Sequence, residues 1–396
     1  MLKKEKVFDI YIILLWIVFS TELLFRSYHS ISLYVITPFL FVFSIYKTPY
    51  LFKDNYIIAY LVIMFWSLIT CFTSINQAES WIAYRVMAGC FMISFIMYSF
   101  ITRSNSPQRT TAIFFTFILL FLTTFIYLYL SGDMYALDTT TDRLEGKNMN
   151  GNDIAYELFH VVIVVFIFIN AIRDVNSMFK MIISVFLVFL SLWCSILTGS
   201  RQIVVVIIPL VVVSAFFSLN INKSSKSKRF IRLLLVFIGI GIVIGVFQRY
   251  FYNTLMNSFL YTRMQDNMAE DSRVGMISRA FVAGVEHPFF GVGTGCFYLY
   301  DRSRHFSHCT YTELFANSGI IPLIAYLYMV IKFMVEQRKR YRITKDRVFL
   351  YLFICSIFWA AYNFFYAFNT TAWSMSFFFL LIGYSNNAYR TKIVNQ

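Results

Sequence analysis

Residues 179–220, FKMIISVFLVFLSLWCSILTGSRQIVVVIIPLVVVSAFFSLN, hold two apolar runs, 179–198 and 202–220, parted only by Gly199, Ser200 and Arg201. Each run has about the 20 residues that a helix needs to cross a ~30 Å hydrocarbon core. Inside such a core the backbone must satisfy its own polar groups, so a run of this kind resolves as helix. The stretch predicts a tight transmembrane hairpin with a polar tip.

The same signal recurs outward in both directions, at 9–25, 30–46, 55–73, 81–101, 111–130, 153–171, 230–248, 315–334, 347–367 and 371–388. Of the 396 residues 59% are hydrophobic and 14% charged, and mean hydropathy is +0.66. A soluble domain would carry about a quarter charged residues. The expected fold is an all-α integral membrane protein with about twelve transmembrane helices in one polytopic domain, 1–396. The first apolar run is too long for a signal-peptide core and no small-residue cleavage site follows it, so it reads as a retained helix.

Lys and Arg in the loops give the orientation. With both termini cytoplasmic, the inner loops hold YKTPYLFKD, TRSNSPQR, NKSSKSKRFIR and VEQRKRYRITKDR. The net charge of +14 then reports membrane topology and contact with anionic lipids, and nucleic acid is not an expected partner. This topology puts 13 lysines and 10 arginines inside, against one lysine and 10 arginines outside. Arginine is favoured where a planar fork grips phosphate or carboxylate; pairing with the outer acids is the plainer explanation.

Two extracytoplasmic loops have appreciable length, 131–152 and 249–314. The second, between helices nine and ten, is far longer than an ordinary connection and so reads as functional. It contains FVAGVEHPFFGVG, an amphipathic helix stopped near His287-Pro288. The following GVGTG, 291–295, lacks the spacing and preceding strand of a dinucleotide fingerprint, and reads as a tight turn that admits a close neighbour. A disulfide between Cys296 and Cys309 would close a loop of about 14 residues, worth roughly 3 kcal/mol; two reduced thiols are the alternative.

All five histidines (29, 160, 287, 305 and 308) fall on the outer side, as do Glu22, Arg85 and Glu157 near helix ends. Charges at membrane depth are costly and mark sites. Arg201 opens a helix beside Gly199 and Ser200, which makes either an anion site or a snorkelling cap. Arg143 precedes an Asn-Gly turn, where Asn152 or Asp153 would cap the next helix. Arg273 and Arg279 lie about 120° apart on one helix. In HFSHCTYTE, 305–313, the residues His305, His308, Cys309 and Glu313 offer a metal site, a general base held by a carboxylate, or a polar loop.

These pieces, in this order, resemble the O-antigen ligase/polymerase superfamily of membrane glycosyltransferases. The matching residues are TGSR (198–201), Arg273 fifteen residues before Pro288, HPFFGVGTG (287–295), and a His opening SHCTYTELFANSGIIPLIAYLY (307–328), with a weaker echo in RLEGKNMNGNDIA. Cys309 stands where the family has Asn, Pro322 where it has Gly, and Gln202 where Gly is frequent.

The resemblance implies transfer of a glycan from undecaprenyl diphosphate to an acceptor hydroxyl at the outer face of the bacterial cytoplasmic membrane, with no nucleotide, metal or other cofactor required. Under it His308 is the base, helped by Glu313 or His305, and Arg201 and Arg273 hold the diphosphate, with Arg143, Arg279 and Arg85 behind them. Expected partners are the lipid-linked donor and acceptor, membrane lipids, a flippase and a chain-length regulator. Polymerisation of repeat units into O-antigen or capsular polysaccharide is the first reading, and ligation to a lipid A core the second. A lipid-linked oligosaccharide flippase, the third, calls for charges through the midplane and internal repeats, which the sequence lacks.

Overall fold

The computed structural model describes residues 32–103, 158–164, 167, 206–211, 213, 272–301, 305–367 and 372–394. The chain divides into two compact units, one of Met1–Thr110 with Ala269–Gln396 and the other of Thr111–Met268. Among the described residues every regular element is a helix.

In the first unit we number α1 Thr37–Lys47, α2 Asn55–Phe72, α3 Gln77–Thr102, α4 Ser272–Glu286, α5 Thr310–Ser318, α6 Ile320–Thr344, α7 Arg347–Tyr362 and α8 Ala372–Val394. A π-helical turn, Ser32–Ile36, leads into α1, and a single turn, Phe297–Tyr300, lies between α4 and α5. Helices α2, α3 and α6 are long and apolar enough to cross a membrane; Tyr34–Lys47 and α7 are apolar but shorter. The expected spans at 9–25, 111–130, 179–198 and 230–248 lie outside the described residues. Those at 153–171 and 202–220 do so largely, and are helical where described.

Local chemistry sets the boundaries. Asp54 caps α2 by accepting the Tyr56 N–H at 2.8 Å. Asn76 caps α3 through the Glu79 N–H at 3.3 Å, and Asp346 caps α7 through Val348 at 3.0 Å. Each such cap contributes about 1 kcal/mol.

One expected helix is broken. The run 315–334 does not start a single helix, because Gly319 (φ +82°) turns the chain between α5 and α6. Beyond the apolar run, α6 continues through EQRKRYR to Thr344, where the sequence suggested loop. Ion pairs from Glu336 back to Lys332 (2.8 Å) and on to Arg340 (3.4 Å) line this extension at helical spacing.

The packing of α8 on α3 and of α6 on α2 and α7 makes the bundle. Phe379 stacks on Tyr60, and Phe378 on Trp359, in its core. Its two ends differ in charge. One end holds Lys47, Lys53, Arg103, Lys345, Arg390 and Lys392 with few acids; the other gathers the turn Thr73–Asn76, residues 287–301 and 305–320, and all three histidines of the large loop. In the second unit, residues 158–164 are helical and buried, with the His160 ring 5.7 Å from that of Phe159.

Candidate active site

The histidine-bearing end is built on a clasp. Helix α4 stops at Glu286, two residues before Pro288, and its small residues Ala280 and Ala283 pack with Ala316 of α5, Val292, Cys296 and Phe297. The glycine-rich turn then caps α5: the Val292 N–H donates to Ala316 O at 2.8 Å and the Gly293 N–H to Asn317 O at 3.1 Å. Carbonyls at a helix C-terminus have no partner within the helix, so these bonds meet a demand that the helix itself creates. Val292 O accepts from Ile75 N–H at 3.1 Å, which ties the turn to the α2–α3 corner.

Gly293 shows why glycine is required. Its φ is +112°, and a Cβ there would fall on the Ser74 side chain. The sequence expectation of a close neighbour is met, and the neighbour is the protein's own chain. Trp66 completes the clasp: its Nε1–H donates to Phe289 O at 2.9 Å and its ring stacks on Phe290.

A buried carboxylate organises the other side of the clasp. Glu313, in the first turn of α5, is 2% exposed. Its Oε2 accepts from the Ser307 N–H (2.8 Å) and hydroxyl (2.6 Å), and its Oε1 from Asn317 Nδ2 (2.8 Å). Asn317 Oδ1 in turn accepts the Phe297 N–H at 2.8 Å. Burial pushes the Glu313 carboxyl above its usual range, and the bonds from Ser307 and Asn317 draw it part of the way back. The helix N-terminus also favours a negative charge at this position.

His308 follows Ser307 directly. It is half-buried and holds a left-handed backbone, φ +54°. Non-glycine residues in this region are uncommon and persist where the surroundings fix them. Cys309 after it is buried, and Thr310 is anchored to α7's end, with its N–H on Asn363 O at 2.8 Å and its hydroxyl on Tyr366 O at 2.6 Å. The loop that presents His308 is thus held on both sides.

The remaining candidates divide clearly. His305 is exposed, next to Phe306, which packs on Tyr298. His287 is exposed against Tyr300, whose hydroxyl donates to Glu286 and whose ionisation that bond opposes. Arg273 and Arg279 share α4, which packs on α5. Arg279 Nε donates to the buried Asp301 carboxylate at 2.8 Å, while Arg273 is half-buried. Arg85 is exposed on α3, about 12 Å along the helix from Gln77. Arg143 and Arg201 lie outside the described residues. Cys296 and Cys309 are free thiols, so the disulfide is not formed; the Cys296 Sγ lies 3.1 Å from Ser74 Oγ instead. Among the described residues no three His, Cys, Asp or Glu side chains are grouped to hold a metal ion.

Sequence reasoning overlooked Ser307, Asn317 and Asp301. A signal for Asn317 was present: it stands four residues after Glu313, on the same helical face. Asp301 and Ser307 offered none, because their partnerships depend on how the loop folds back.

No protein of curated function matches this chain. Residues 186–327, which take in α4, the glycine turn, α5 and the start of α6, match the family model described as O-Antigen ligase, and this supports the membership of the chain in the O-antigen ligase/polymerase superfamily.

Proposed function

We propose that the chain polymerises undecaprenyl-diphosphate-linked repeat units into O-antigen or capsular polysaccharide at the outer face of the cytoplasmic membrane. The observation that carries this reading is the fixed placement of His308. A buried Glu313–Ser307–Asn317 network holds it at the bundle end opposite the lysine-rich one. By the positive-inside rule the lysine-rich end faces the cytoplasm, which turns His308 outward.

In the proposed reaction the acceptor hydroxyl attacks the anomeric carbon of the lipid-linked glycan. His308 takes the hydroxyl proton as the C–O bond forms. The sugar–phosphate bond breaks, and undecaprenyl diphosphate leaves with the electron pair. Arg273 stabilises the charge gathering on that leaving group, the role that the sequence resemblance also gives to Arg201 and Arg143. Arg279, already committed to Asp301, and Arg85 serve as outlying cations. Glu313 is a positioning residue that acts through Ser307, and His305 lines the approach. Passage of the finished units through a flippase, and control by a chain-length regulator, would complete the setting.

Transfer to a lipid A core is the second reading, favoured by the description of the matched family. A deletion strain separates the two. One repeat unit on the lipid A core identifies a polymerase, full-length polymer left on carrier lipid a ligase, and units trapped inside a flippase. His308→Ala should insert normally but stop elongation at single repeat units, as the deletion of a polymerase does; polymer of normal length in that variant would refute the assignment of the base.

A further inference from the structure

The bundle end opposite His308 holds an open cavity of about 260 Å³, lined from α2, α6 and α8. Its charges do not balance. Glu336 pairs with Lys332 at 2.8 Å and Arg340 at 3.4 Å and accepts the Tyr56 hydroxyl at 2.8 Å. Asp54 is occupied by the Tyr56 N–H and the Tyr98 hydroxyl, each at 2.8 Å. Arg340 further donates to Ser385 and Asn386. Arg390 lines the same cavity, is exposed, and has neither a hydrogen bond nor an ion pair among the described residues. Among the described residues three cations therefore face two carboxylates, and both carboxylates are already in use.

We propose that this cavity binds the phosphodiester headgroup of an anionic phospholipid, with Arg390 as its principal cation. A single negative charge balances the surplus, and phosphate oxygens accept hydrogen bonds without competing for Asp54 or Glu336. The cavity also sits where lipid phosphates lie, since Asn55 on its wall opens the apolar span Asn55–Phe72. Exposed apolar residues continue from it along the bundle, Ile58, Val62 and Phe65 on α2 with Ile331 and Val335 on α6. They offer a track for acyl chains that inorganic phosphate would leave unused. Basic pockets between membrane helices select headgroups in this way. The inference depends on the chain spanning a membrane and is independent of the transfer reaction.

The test uses the full chain in nanodiscs of equal phosphatidylglycerol and phosphatidylcholine, with lipid retained on release counted by native mass spectrometry. The wild type should keep phosphatidylglycerol in preference, and Arg390→Ala should lower that retention about fivefold. Lys392→Ala removes the same charge from the same end, but its ammonium pairs with Asp346 at 2.9 Å; it should retain lipid as the wild type does. Because Arg390 has no partner to lose, its variant should also melt at the wild-type temperature in lipid-free detergent. Equal retention of both lipids by the wild type, or equal loss in the two variants, would overturn the proposal. Displacement of phosphatidylglycerol by millimolar inorganic phosphate would likewise overturn it, by making free phosphate the ligand.

Discussion

Glu313→Gln keeps the size of a buried side chain and breaks its hydrogen-bond logic. In the wild type Glu313 only accepts: two bonds from Ser307 and one from Asn317, whose own oxygen is committed to the Phe297 N–H. A glutamine must place its NH2 somewhere. Turned toward Ser307, it opposes the Ser307 N–H. Turned toward Asn317, it opposes that amide's NH2, and flipping Asn317 only moves the conflict to Phe297. Each orientation orphans one buried donor, at about 1–3 kcal/mol, which for a chain of this size lowers the thermal midpoint by a few degrees. The protonated acid avoids this, because its O–H can donate to Ser307 Oγ while that hydroxyl turns to Cys309 O, 3.2 Å away. Burial raises the folded pKa, so the carboxyl contributes stability that is full below its unfolded value and is lost as pH rises through the folded one. The wild-type midpoint should therefore decline with pH above about 4.5, and the Gln variant should lack that slope. The decisive variant is Glu313→Gln with Asn317→Asp. The new Asp accepts both from the Gln NH2 and from Phe297, so donor and acceptor exchange places and the network closes again. Melting followed by tryptophan fluorescence in detergent, alongside an elongation assay, should show both single variants impaired and the double variant recovered. A double variant no more stable than either single one would refute the network.

Gly293→Ala should destabilise the clasp by more than 1 kcal/mol, since it combines φ +112° with a Cβ on Ser74; a wild-type melting temperature would count against that geometry. Arg279→Ala should act on stability by removing a cationic partner of the buried Asp301, and Asp301→Ala in the same chain should restore most of the loss. Arg273→Ala should instead raise KM for the lipid-linked donor. The reverse pattern for the two arginines would exchange their assignments. Trp66→Phe should keep the stack on Phe290 but lose the bond to Phe289 O, at about 1 kcal/mol, and an unchanged midpoint would show that water replaces the indole N–H.

What the sequence revealed, and what it hid, follows from the range of the forces involved. Apolar runs report an interaction with solvent that is local in sequence, so spans such as 55–73 and 81–101 could be placed to within a few residues of α2 and α3. Helix stops at glycine and proline are equally local, yet Gly319 was overlooked because the apolar run resumes at once with Ile320 and Ile321, although Asn317 and Ser318 precede the break. It becomes necessary only when Pro288–Phe290 folds back onto the end of α5, where a Cβ at Gly319 would meet the Phe289 carbonyl. The histidine loop shows the same limit. His308 and Glu313 could be selected by residue type, but the spacing suggested a direct base–carboxylate pair. Folding instead gives the hydrogen bonds of Glu313 to Ser307 and Asn317, neither of which carries a catalytic signature. A buried carboxylate needs several donors close at hand, and in this loop the nearest are the backbone and hydroxyl of the residue before the histidine. The desolvation of Glu313 thus fixes the backbone of its neighbour: the acid acts on His308 through the chain, and a change at Ser307 or Asn317 should reach the histidine as surely as a change at Glu313 itself.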